Sequence, residues 1–244
     1  MATAIRSEPV SYTAGGTALR GFLATPATED ARPGVLVVHE WWGLNDYIRR
    51  RARMLAELGY TALAVDMYGG GRVADNPADA GALMTSVLND RKAAEERFAA
   101  AYRLLESHAA TDAGRIAAIG YCFGGAVVLH AARLGLPLRG VASFHGALGS
   151  MHTPAPGSVR AKILVCHGAA DSLVPDAEVA AFKQEMEQAG ADYRFIAYAN
   201  ARHGFTNPEA DANGKKYGIP LAYDAAADDR SWQDLREFLD RIFA

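Results

Sequence analysis

One stretch near the middle of the chain, Arg115-Ile-Ala-Ala-Ile-Gly-Tyr-Cys-Phe-Gly-Gly-Ala126, restricts the fold more than any other. Ile116 to Ile119 is the short apolar run that a parallel strand covered on both faces requires. Gly120-Tyr-Cys-Phe-Gly124 follows in the form G-x-nucleophile-x-G, a sharp strand-to-helix turn that lifts its middle side chain above a sheet, here with cysteine in place of serine. Such a turn draws the positions two before and two after the nucleophile together, where a β-carbon would clash, which accounts for both glycines. A helix is expected from Gly124 to Arg133, and its positive N-terminal end favours thiolate over thiol. A lone cysteine is more often a small buried hydrophobe. With the strand before it, the helix after it and both glycines, Cys122 reads as a nucleophile.

The rest of the chain repeats the strand-then-helix rhythm. Gly15-Gly16 between two extended pieces in Tyr12 to Ala24 predicts an N-terminal hairpin at a sheet edge, and Pro26 to Pro33 a polar loop. Strands are predicted over Gly34 to Val38, Thr61 to Val65, Leu138 to Phe144, Lys162 to Cys166 and Tyr193 to Ala199. Helices are predicted from a cap at Asn45 or Asp46 to about Leu58, over Pro77 to Leu88, Arg91 to His108 and Asp176 to Gln188, and over Ser231 to Phe243 at the end. Ser150 to Ser158 is a surface loop. Strands alternating with helices give an α/β fold whose mostly parallel central sheet carries helices on both faces. No repeat or composition break divides the 244 residues, so a single domain, 1–244, is expected.

Composition narrows the function classes. Lys+Arg 25 against Asp+Glu 28 leaves a net charge of -3 and no basic stripe for nucleic acid. The opening residues lack the apolar core of a signal peptide, no apolar run approaches a membrane span, and two cysteines are too few for a disulfide framework. A cytoplasmic protein is expected, without membrane or nucleic-acid partners, as a monomer or small homo-oligomer acting on a small molecule. Cys166, inside the run Ile163 to Cys166, is expected to be inert core.

Working residues in open α/β sheets gather beyond the carboxyl ends of the strands. Here those positions hold His39-Glu40, Asp66, Cys122, His145, His167 with Asp171, and His203. The chain order nucleophile, acid, histidine selects Cys122, Asp171 and His203. His203 would take the thiol proton and return it to the leaving group, and Asp171 would hold the imidazole tautomer. His145 and His167 are expected to be strand-end residues bonded to loop backbone. A metal site is the rival use of these histidines, but no pair has close ligand spacing, so no metal is predicted. Glu40 lies where such enzymes keep an oxyanion-hole N–H, between a buried strand and two tryptophans. A site role is favoured there over an exposed partner for Arg49 or Arg50.

Taken together, His39-Glu-Trp-Trp-Gly-Leu44, Asp66-Met-Tyr68, Gly120-Tyr-Cys-Phe-Gly-Gly125, His167-Gly-Ala-Ala-Asp171 and His203-Gly-Phe205 make the chain resemble the dienelactone hydrolase (carboxymethylenebutenolidase) family of α/β hydrolases. The resemblance spans nearly the whole chain. It implies a Cys122-His203-Asp171 triad, participation of Glu40 in activating the thiol, and an oxyanion hole built from the backbone N–H groups of Trp41 and Phe123. It implies hydrolysis of a lactone or ester through a thioester, with no metal or organic cofactor. The family's dienelactone-cleaving members resemble one another in an arginine four residues after the histidine; here that position is Asn207, and no arginine lies in Asn76 to Leu88. Tyr68, Arg72, Asn207 and Trp42 are the candidate substrate contacts, and the insertion Asn207 to Leu221 the candidate lid wall. Because thiolate is itself a good leaving group, enol or aryl esters and lactones are expected to outrun simple alkyl esters. Two alternatives use the same residues: an acyltransferase or thioesterase with the same triad, and a non-enzymatic binding protein on this fold.

Overall fold

The amino-terminal hairpin forms where a flexible Gly-Gly pair separates two strand-forming runs. In the computed structural model, which describes residues 4–244, β1 (Ile5–Ala14) and β2 (Thr17–Pro26) pair antiparallel, with Tyr12 opposite Leu19. Residues 1–3, part of the stretch read for a signal peptide, lie outside the described residues. Then follow β3 (Arg32–Val38), α1 (Asp46–Glu57), β4 (Thr61–Val65), α2 (Pro77–Asn89), α3 (Arg91–Ser107) and β5 (Thr111–Tyr121). The remaining elements are α4 (Phe123–Arg133), β6 (Gly140–Phe144), β7 (Lys162–Gly168), α5 (Asp176–Gln188), β8 (Tyr193–Tyr198), α6 (Ala210–Tyr217) and α7 (Ala225–Phe243). No helix among the described residues is long and apolar enough to cross a membrane.

Two compact units, Met1–Ala118 and Ile119–Ala244, divide the chain within β5. In the first, the strand order is β1-β2-β4-β3-β5, and β3 runs parallel to β4 with Val37 beside Ala64. All five residues of β4 are buried, so both of its faces are covered. α1 packs on β2, β3 and β4, and α3 on β1, β3 and β4. Each helix begins at a side-chain cap: Asn45 accepts from the Ile48 N–H, Asn76 from Asp79 and Asp90 from Ala93.

In the second unit β6, β7 and β8 run parallel, with Ser143 beside Val165 and Val165 beside Phe195. β6 is buried throughout and takes α4 and α7 against it. Arg133, at the end of α4, is buried and pairs with Glu185 of α5 at 2.7 Å while donating to the Leu148 carbonyl at 2.8 Å. That ion pair fixes the two helices and the loop after β6 together.

Most element ends lie within two residues of the sequence reading, and the larger differences are four. The hairpin's first strand begins at Ile5 rather than near Tyr12. The closing helix starts at Ala225 rather than Ser231, because Asp224 caps it by accepting from the Ala227 N–H at 3.0 Å. The strand into the elbow runs from Thr111 rather than Ile116. The insertion after His203 contains a helix, α6, that its polar composition did not announce.

Candidate active site

The bend at Cys122 is as tight as its glycines require. A β-carbon on Gly120 would lie 2.0 Å from the Gly124 carbonyl oxygen, a distance no side chain tolerates. Cys122 itself sits at φ 53° and ψ -116°, a positive-φ conformation that costs an L-residue energy and persists only where its surroundings enforce it. They do so from both sides. The Cys122 N–H donates to the Phe144 carbonyl of β6 at 3.0 Å, and its own carbonyl accepts from Gly125 at 2.9 Å, opening α4. Cys122 is partly exposed, whereas Cys166 is buried.

Asp171 and His203 arrive on loops pinned to one another. The Ala169 N–H donates to the Tyr198 carbonyl and the Ala170 N–H to the Ala201 carbonyl, both at 2.9 Å, so the loops after β7 and β8 leave the sheet side by side. Asp171 divides its carboxylate: Oδ1 accepts from the Leu173 N–H at 2.9 Å, and Oδ2 faces His203 Nδ1 at 2.8 Å. The carboxylate therefore selects the tautomer with its proton on Nδ1. The other imidazole nitrogen is left to the Cys122 sulfur. Burial disfavours the charged ring, but the negative sulfur and the Asp171 carboxylate outweigh it, and the His203 pKa is pushed up to about 10.

The insertion holds His203 from behind. Leu221 bridges to His203, the Ala222 N–H donates to the His203 carbonyl at 3.1 Å, and the Asp224 N–H to the Phe205 carbonyl at 3.1 Å. Gly214 permits the return, since a β-carbon there would lie 2.5 Å from the Leu221 carbonyl oxygen. Asn207, at the position where the resemblance leads one to expect arginine, is buried and accepts from the Glu209 N–H at 3.0 Å in the turn before α6. His145 meets Thr206 through Nε2 at 2.8 Å, and its ring stands edge-on to His203 with centroids 5.2 Å apart. His167 lies against Phe195, and burial lowers its pKa. Cys166 is fully buried, its thiol pushed up to about 12 by desolvation, with the Tyr198 hydroxyl 3.4 Å away.

The remaining candidates belong to the first unit and lie on the loops after β3 and β4. Glu40 is only 4% exposed, so it is not the exposed surface charge that a partner for Arg49 or Arg50 would be, and Arg49 pairs with Asp46 at 2.8 Å. Trp41 is half-buried and Trp42 buried, their rings tilted with centroids 4.8 Å apart. Tyr68 is buried, and its hydroxyl donates to the Trp41 carbonyl at 2.8 Å. Arg72 folds back on its own loop, with Nε donating to the Gly69 carbonyl at 3.2 Å and Nη2 to the Tyr68 carbonyl.

Two supports of these loops had no role in the sequence reading. The Asp66 carboxylate accepts four backbone N–H groups: Tyr68 and Gly69 on Oδ1, Arg20 and Gly71 on Oδ2. His39 bridges the two loops, with Met67 on one ring nitrogen and the Glu40 carbonyl on the other. Both stand at strand ends and inside the motifs that carry the family resemblance, but their backbone partners are not written in those motifs. Among the described residues no three His, Cys, Asp or Glu side chains converge closely enough to hold a metal ion.

Comparison with known proteins agrees with this architecture. Residues 19–243 match the model of the dienelactone hydrolase family. The crystal structure of a dienelactone hydrolase-like promiscuous phosphotriesterase from metagenomic libraries is similar with a TM-score of 0.93 at 38% identity, covering 99% of this chain and 100% of that one. An Aquifex aeolicus protein provisionally named a carboxymethylenebutenolidase is 30% identical over 209 residues, 84% of this chain and 89% of its own. A Bradyrhizobium protein provisionally named a 2-oxo-3-(5-oxofuran-2-ylidene)propanoate lactonase is 30% identical over 217 residues, 85% and 87% of the two chains.

Proposed function

The chain belongs to the dienelactone hydrolase family of α/β hydrolases, and from that premise we propose that it cleaves a lactone or an activated carboxylic ester through a thioester on Cys122. That it is an ester or lactone hydrolase follows from the family and its relatives; the nucleophile, the triad and the intermediate are our reading. One observation carries it: a partly exposed cysteine at a positive-φ bend, with a histidine whose charged form its sulfur favours and a carboxylate on the far imidazole nitrogen.

In this mechanism the Cys122 thiolate adds to the substrate carbonyl, and the backbone N–H groups of Trp41 and Phe123 receive the developing oxyanion. Collapse breaks the ester C–O bond, and the departing oxygen takes the proton from His203. Neutral His203 then draws a proton from water as that water attacks the thioester. The C–S bond breaks, the acid leaves, and the thiolate–imidazolium pair is restored. Asp171 holds the ring and offsets its charge throughout. Glu40, buried on the loop that carries Trp41, is read as taking part in activating the thiol.

Substrate class follows from the leaving group and the missing anchors. Because thiolate leaves readily, only an acyl donor whose oxygen departs as an enolate, phenolate or strained-ring alkoxide competes with backward collapse. The Asn207 Oδ1 is taken by the Glu209 N–H and Arg72 by its own loop carbonyls, so no dedicated carboxylate anchor is assigned. We therefore read the preferred substrate as a lactone or enol ester that need not carry a carboxylate, with residues 207–221 as a wall beside it and the cytoplasm as the setting.

The test is a panel of lactones, enol esters and aryl esters, with and without a carboxylate, run with the native protein, Cys122→Ala and Cys122→Ser. Turnover by the native protein, an acyl mass on the Cys122 peptide after quenching, and loss of turnover in Cys122→Ala are expected. Unchanged turnover in Cys122→Ala sinks the reading. Acceleration by added thiol or amine without background hydrolysis would favour acyl transfer. A second reading rests on the phosphotriesterase neighbour: the same thiolate attacking phosphorus of an aryl dialkyl phosphate. Release of the phenol with a dialkylphosphoryl mass on Cys122 is its signature.

A further inference from the structure

The peptide joining Glu40 to Trp41 carries the N–H assigned to the oxyanion and, at its other end, the Glu40 carbonyl. No peptide among the described residues is cis, and in a trans peptide the C=O and N–H point in opposite directions. Whatever fixes the Glu40 carbonyl therefore aims the Trp41 N–H.

That carbonyl faces His39 Nδ1 at 2.5 Å and accepts from the Gly43 N–H at 3.2 Å. His39 is held from its other side by the Met67 N–H, which donates to Nε2 at 3.2 Å. A backbone N–H can only donate, so Nε2 is the bare nitrogen and Nδ1 carries the proton that Glu40 receives. Both ring nitrogens are thus committed, and the ring rests on Tyr68 with centroids 4.6 Å apart. Burial holds the pKa down to about 4, so the same neutral tautomer persists at any pH near neutrality. The next peptide is gripped as well, since the Tyr68 hydroxyl holds the Trp41 carbonyl and Asp66 holds the Tyr68 N–H.

We infer that His39 is a positioning residue for the oxyanion-binding N–H of Trp41, a brace of fixed tautomer that aims this donor through the Glu40 carbonyl. The inference rests on the thioester reading above. It adds that the loop after β4 acts on the reaction through Met67 and His39, without itself meeting the reacting atoms.

The two amide substitutions of His39 separate this role from simple packing. His39→Asn carries an amide N–H near the position of Nδ1, and His39→Gln carries its amide near the position of Nε2, with similar polarity in each. Expected are a kcat for His39→Asn within about threefold of native, and a fall of about 10- to 100-fold for His39→Gln and for His39→Leu, a portion of what deleting an oxyanion donor costs. KM should not move, because the oxyanion exists only beyond the ground state. Iodoacetamide should alkylate Cys122 at the same rate in all variants. In a cinnamoyl thioester of each, the carbonyl stretch should rise for Gln and Leu and stay for Asn.

Equal losses in Asn and Gln with an unmoved carbonyl stretch, or full kcat in Gln and Leu, would overturn the inference. Should Gln and Leu both fail to fold, as judged by urea unfolding, His39→Asn decides: native kcat and stretch support it, and a kcat below about a tenth at a native unfolding midpoint overturns it. An active Cys122→Ala protein would overturn the thioester reading and this inference together. A dead Cys122→Ala alongside full-speed Gln and Leu variants would overturn this inference alone.

Discussion

Gly120 and Gly124 approach so closely that a β-carbon on the first would lie 2.0 Å from the carbonyl oxygen of the second. The contact is backbone to backbone, so no side-chain movement relieves it. Gly120→Ala should therefore cost about 3 kcal/mol or more, or abolish folding. Urea unfolding and soluble yield measure this, and native stability in the variant would mean that the bend opens more easily than its geometry implies.

Stability should depend on alkaline pH through His203. Its ordinary pKa is about 6.5, and in the folded chain burial is outweighed by Cys122 and Asp171, which raise it to about 10. A raised pKa stabilises the fold in full below the unfolded value. That stabilisation declines across the window and is lost as pH rises through about 10. Thermal midpoints of the native protein should fall over this range, and Cys122→Ala, lacking the sulfur that chiefly raises the pKa, should fall less. Parallel curves for the two proteins would count against the thiolate–imidazolium pair.

The two thiols should react at widely different rates. Cys122 is partly exposed, whereas Cys166 has no exposure and a pKa pushed up to about 12. Iodoacetamide at neutral pH should label the Cys122 peptide alone, with Cys166 labelled only after denaturation. Peptide mass mapping reads the outcome, and rapid labelling of Cys166 in the native protein would show that the β7–β8 core opens readily.

The elbow was legible because its demands are local: an apolar strand, two glycines and a helix fall within one short stretch. Asp171 and His203 were legible through chain order, since loops after successive parallel strands return to one edge of a sheet. α6 was missed because its sequence, Ala-Asp-Ala-Asn-Gly-Lys-Lys-Tyr, is polar and carries a glycine whose use is the approach of the Leu221 carbonyl, a contact made only by the folded chain. Asn207 read as a lost arginine, but its bond to the Glu209 N–H is visible only once the turn before α6 exists. The roles of Asp66 and His39 were invisible for a common reason: their partners are backbone groups on other segments, and an N–H has no letter in the sequence.

Asp66 gives that last point a measurable form. Each of its carboxylate oxygens accepts two backbone N–H groups, Tyr68 and Gly69 on one at 3.0 and 2.8 Å, Arg20 and Gly71 on the other at 2.9 and 2.8 Å. Asn is nearly the same shape, yet whichever way its amide turns, an NH2 group faces two N–H donors and two buried hydrogen bonds become repulsions. Asp66→Asn should therefore cost about 2 to 4 kcal/mol despite its conservative size, since the lost bonds are charge-assisted and leave donors unsatisfied. The loop that carries Met67 and Tyr68 should loosen with it, so kcat should fall even where the variant stays folded. Urea unfolding followed by kinetics below the transition separates the two effects. A fully stable and fully active Asp66→Asn protein would show that the loop after β4 keeps its shape without this carboxylate.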